Sequence, residues 1–74
     1  MKINLTQGQR DAWADYLAGK KSVKEMVSWA RCISTDIINV VGWEKVHAVD
    51  KETDKRLYSD KEIFTEFALY LENT

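Results

Sequence analysis

A small α+β domain, ordered α-α-β-β-α with a long central helix and a β-hairpin inside one unit spanning residues 1–74, is the fold the sequence predicts. Three observations carry it. Laid out at about 100° per residue, residues 22–41 (SVKEMVSWARCISTDIINVV) sort onto two faces. Val23, Met26, Val27, Ala30, Ile33, Ile37, Ile38, Val40 and Val41 share one arc and the polar side chains the other, broken only by Cys32 on the polar side and Ser34 on the apolar side. Three Ser/Thr-x-x-Glu/Gln patterns, starting at Thr6, Ser22 and Ser59, mark helix N-termini. After Gly42 the apolar period shortens to two, as on a strand.

In chain order, residues 2–5 alternate, with Ile3 and Leu5 on one side, and predict a short edge strand. Thr6 and Gln9 form a capping box that opens a helix over residues 7–18, with Trp13, Tyr16 and Leu17 inward and Gly19 ending it. Ser22 and Glu25 open the central helix, and Gly42 closes it. An apolar stripe this wide reads as the heart of a small core. One unbroken helix is the preferred reading, with a pair bent near Ser34 as the alternative. Residues 44–50 (EKVHAVD) and 55–59 (KRLYS) flank a polar turn, so they predict a hairpin with a four-residue loop. With Asp50 opposite Lys55, Val46, Ala48 and Leu57 would face the core, while Trp43, His47, Val49, Arg56 and Tyr58 would share the other face. Ser59 and Glu62 then start a last helix running to about Glu72, with Ile63, Phe64, Phe67, Ala68 and Leu71 inward.

Composition narrows the function classes. The formal net charge is −1, from 11 Lys and Arg against 12 Asp and Glu. Proteins held to nucleic acid mainly by phosphate neutralisation carry a basic surplus instead. There is no polybasic anchor and no apolar run long enough to cross a bilayer. The single cysteine has no CxxC partner for zinc and suits a reducing compartment, so a soluble cytoplasmic protein is expected. Cys32 and His47 fall on different expected elements, with no third group to orient an imidazole. No carboxylate pair, glycine-rich phosphate loop or metal-ligand spacing accompanies them. No enzyme, no cofactor and no metal site is expected.

Two binding readings remain. Trp43, His47, Arg56 and Tyr58 are residue types common at energetic hot spots of protein interfaces, and the hairpin lattice puts them on one side. Trp29, at the margin of the central stripe, joins them as either half-buried packing or an interface anchor. For Trp43 alone, packing against the end of the central helix is the expected fate. The preferred function is a small non-enzymatic inhibitor or adaptor that binds another protein, of the kind carried by phages and mobile elements. The alternative starts from Met26, Val27, Ala30, Cys32, Ile37 and Val40, which stand where a helix-turn-helix wants apolar residues if the stretch breaks near Ser34. A following hairpin would be the wing of a winged-helix domain. The lead-in LTQGQRDAWADYLAGKKSVKE resembles bacterial regulators of this type, a likeness that implies DNA binding, and a homodimer is expected on that reading because one short module makes few base contacts. Arg31 stands at the turn position that usually holds glycine, and Ser34, Thr35, Asp36, Ile38 and Asn39 offer no Arg or Lys to bases or phosphates.

Overall fold

The chain is all-helical where the computed structural model describes it, over residues 3–73. Helix α1 (Gln7–Leu17) begins at a complete capping box. The Gln9 amide donates to Thr6 Oγ1 at 3.1 Å, and Gln9 Oε1 accepts from the Thr6 amide at 2.9 Å. It ends in a Schellman turn: Gly19 takes φ 81°, the Lys20 amide donates to Asp15 O, and the Gly19 amide donates to Tyr16 O. Of the strand expected at residues 2–5, Lys2 lies outside the described residues. Residues 3–6 form no strand; Ile3 and Leu5 instead lie against the core.

The central stretch is two helices, α2 (Val23–Cys32) and α3 (Ser34–Val41), which corrects the unbroken helix. The break is Ile33, at φ −129° and ψ 31°. Its amide slips to the carbonyl three residues back, Ala30 O at 3.1 Å, before the four-residue ladder resumes with Ile37 bonded to Ile33 O. Burial explains why the chain kinks rather than turns away. Met26, Ala30, Ile33 and Ile37 all stay in the core, so the apolar stripe passes through the break intact.

The hairpin is the larger correction, and with it the α+β class. Trp43–His47 is a short helix, α4, and the described residues contain no strand. Gly42, at φ 106° and ψ 135°, caps the end of α3 and the start of α4 together, so it redirects the chain without ending the helical run. Tertiary contact decides the rest. On a strand Lys45 and Val46 would point to opposite faces, but on a helix they lie about 100° apart. There Val46 packs on the core while Lys45 Nζ reaches Glu66 Oε1 at 2.6 Å. A lone two-stranded ribbon offers nothing of comparable strength.

What survives of the hairpin is its reversal. Val49 and Arg56 form one antiparallel bridge, the Asp50 amide donates to Lys55 O at 2.8 Å, and the Leu57 amide donates to Ala48 O at 3.0 Å. The Glu52 amide donates to Asp50 Oδ1 at 2.9 Å, and Asp54 sits at φ 58°. Leu57, expected inward, is 56% exposed because nothing packs beyond the single bridge.

Helix α5 (Asp60–Glu72) packs against α1, α2 and α3, and is the spine of the molecule. Ser59 Oγ accepts from the Glu62 amide at 3.3 Å, but only this half of the third box is made. Ile63, Phe64, Phe67 and Ala68 meet Ala12 and Trp13 of α1 and the α2–α3 stripe in one core. Trp13 stands edge-on to Phe64 and Phe67, with centroids 5.5 and 5.0 Å away.

Candidate functional site

The kink at Ile33 leaves a shallow trough between α2, α3, α4 and α5, of about 290 Å³. Its floor is apolar. Ala30 comes from α2, Ile37 and Ile38 from α3, Val46 from α4, and Ile63 and Phe64 from α5. Its rim is polar: Arg31, Ser34, His47, Arg56 and Asp60.

Each rim residue is placed by local chemistry. Arg31 lies in the last turn of α2, where a cation favours the helix dipole. The Asp50–Lys55 reversal carries the chain back so that Arg56 reaches the start of α5. There its Nη1 donates to Asp60 Oδ1 at 2.8 Å. His47 ends α4, and its imidazole stacks on the indole of Trp43 at 4.1 Å between centroids, with planes tilted by 50°. Trp43 itself is 63% exposed, the most exposed of the large apolar side chains among the described residues. The expected packing of Trp43 on the end of the central helix is therefore corrected. Gly42 redirects the chain between α3 and α4, and the indole is mostly in water with His47 stacked on it.

Helix α4 is fixed beneath this pair. The Lys45–Glu66 ion pair ties it to α5, and Lys45 Nζ also stands 4.9 Å over the Tyr58 ring. The hydrogen bond to Glu66 holds the Lys45 ammonium above its ordinary pKa of 10.5, against a smaller opposing effect of desolvation.

Of the residues singled out in the sequence, the fold brings His47 and Arg56 to the trough, with Trp43 stacked on His47 beside it. Tyr58 and Trp29 are half-buried against the core. Sequence reasoning passed over Arg31, Ile37 and Ile38 as parts of this site, because a continuous helix has no trough. The signal available was the cluster Ser34–Thr35–Asp36, residues that favour a helix start over a helix middle. Cys32 is a free, exposed thiol outside the trough lining. Among the described residues no group of three or more His, Cys, Asp or Glu side chains is arranged to hold a metal ion. No helix among them is long and apolar enough to cross a membrane. What the trough and its flank present is an imidazole stacked on a neighbouring indole, a guanidinium, an ion pair and an apolar floor, all of them recognition groups. Compared with known protein families, characterised proteins and solved structures, the chain matches none.

Proposed function

We propose that this protein is a small non-enzymatic regulator, an inhibitor or adaptor of the phage or mobile-element type, that binds another protein through the Trp43–His47 end of the trough. The observation behind this reading is Trp43: a tryptophan 63% exposed, stacked on a histidine that itself lines an apolar depression. Exposed aromatics beside an apolar trough are the usual anchors of protein interfaces, and tryptophan is prominent among hot-spot residues. Action would be steric, by covering or bridging a site on the partner. A standard interface takes about 800 Å² per partner, roughly a seventh of the 5267 Å² surface, so the trough and its rim would be its centre and not its whole extent. The exposed, unpaired Cys32 suits the reducing cytoplasm as the compartment.

The test is capture by the tagged chain from lysate of the source cells, with and without nuclease, beside Trp43→Ala. A protein retained after nuclease and lost with Trp43→Ala supports the reading. Capture indifferent to Trp43→Ala, in a variant that melts like the parent, overturns it.

The helix-turn-helix alternative gains one observation, the break at Ile33. Against it, the break is a single residue, the expected wing is α4 followed by an isolated bridge, and α3 carries no Arg or Lys. Titration with duplex DNA over a range of salt decides the matter. Specific binding would show a steep negative slope of affinity against salt.

A further inference from the structure

We infer that the trough receives an acidic segment of the partner protein, seating one bulky apolar side chain on the Ile37–Ile63 floor with a carboxylate against Arg31. This rests on the protein-binding reading and names the chemistry it selects.

Size excludes a large occupant. At about 290 Å³ the trough lies at the bottom of the range that encloses small-molecule ligands, so it suits a protruding side chain and not a cofactor. Its floor asks for an apolar group, since Ile37, Ile63 and Phe64 form its base with 5%, 2% and 6% of their surface exposed.

Charge selects the flank. The molecule is formally negative overall, yet its trough carries two guanidiniums and one carboxylate. Arg56 and Asp60 neutralise each other at 2.8 Å. Among the described residues the ion pairs are this one and Lys45–Glu66, so Arg31 is left with no acid of its own. An unpaired guanidinium beside an apolar depression favours a carboxylate neighbour, in bidentate geometry if it can be had. One spare cation in the trough is too few to seat a phosphate backbone there, since such binding scales with the number of charges neutralised. A second copy is also disfavoured. Leu69, 46% exposed with Glu66 and Glu72 on the same helix, has the required chemistry. Seating it in a neighbour's trough, however, makes a head-to-tail contact that closes only at special rotations.

The experiment pans a library of random peptides displayed on phage against the full chain, then measures enriched peptides by fluorescence anisotropy. Three variants are read beside the parent, each first shown to melt like it: Arg31→Glu, Trp43→Ala, and Lys24→Glu as a charge control on α2 outside the trough. Enriched peptides should pair Asp or Glu with Leu, Phe or Trp. Arg31→Glu should weaken them by about tenfold or more, and Lys24→Glu by less than about twofold. Peptides that depend on Trp43 but not on Arg31, or that lack an acid, overturn this inference and leave the protein-binding reading standing. So does a library with no enrichment when lysate capture is still lost with Trp43→Ala. Binding of duplex DNA that Arg31→Glu abolishes, or self-association abolished by Leu69→Glu, overturns the inference and the reading behind it.

Discussion

Trp13 shows how much one side chain carries in a core this small. It is 1% exposed, touches Tyr16, Phe64 and Phe67 edge-on, and buries an indole N–H with no hydrogen-bond partner. An unpaired buried donor costs about 1–3 kcal/mol, whereas truncating a buried Trp to Ala costs about 3–5. Trp13→Phe should therefore cost well under half of what Trp13→Ala costs, because it removes the unpaired donor along with the volume. Urea midpoints of the two variants check this. Trp43 is the opposite case: with 63% of its surface in water, Trp43→Ala should shift stability by no more than about 0.5 kcal/mol while abolishing partner binding. Lys45 sets a pH signature. Its pKa in the fold is raised, so its contribution is fully present below the ordinary 10.5 and is lost as pH climbs through the higher folded value. The difference in melting temperature between the parent and Lys45→Met should stay flat from neutral pH and close only in strongly alkaline buffer. A gap that closes near neutrality would show that another group is responsible.

At the scale of elements, the sequence was legible wherever a local rule decides. The boxes at Thr6 and Ser22, the turn at Gly19 and the stripe of α5 are satisfied within a few residues of themselves, and they stand as read. It was not legible where tertiary contact decides. Alternation in residues 44–50 mimics a strand, but α4 has only five residues, too few to display a helical period. The grouping of Trp43 with His47 survived that error for a geometric reason: residues four apart share a side on a helix and on a strand alike. Tyr58 had no such protection. Its place depended on a ladder that stops at one bridge, and it packs inward instead. The kink at Ile33 stood only as the alternative reading, a break near Ser34, because the apolar stripe runs through it and favours one helix. Two glycines test the element boundaries with opposite signs. Gly42→Ala meets no neighbour within 4 Å, yet φ 106° is strained for any L side chain and should cost about 1–3 kcal/mol. Gly8→Ala, inside α1 with only an ordinary 3.9 Å contact to Thr6 Oγ1, should stabilise by about 0.4–1 kcal/mol. Thermal melts of the pair distinguish a redirecting glycine from an incidental one.

At the scale of the molecule, the chain is extended for its size. Its radius of gyration is 12.5 Å against about 11 Å expected, and its axes measure 41 × 27 × 20 Å. Helix α5 compensates by packing against α1, α2 and α3 and supplying four of the ten core residues among those described: Ile63, Phe64, Phe67 and Ala68. A chain ending at Ser59 should lose cooperative unfolding and most amide dispersion; retention of both would show that α1–α3 fold alone. The same arrangement sets when the protein can form. Tyr16 of α1 bonds to Lys61 O and Thr65 Oγ1 of α5, partners 45 and 49 positions further along. Contacts this remote are slow to close compared with the local ones typical of helical domains. At 5–20 residues per second, a ribosome needs roughly 2–9 s to add the 45 residues that separate Tyr16 from Lys61. Throughout that interval Trp13, and Met26 once it has been added, have no α5 to cover them, so the side chains that later become the core wait on the end of the chain.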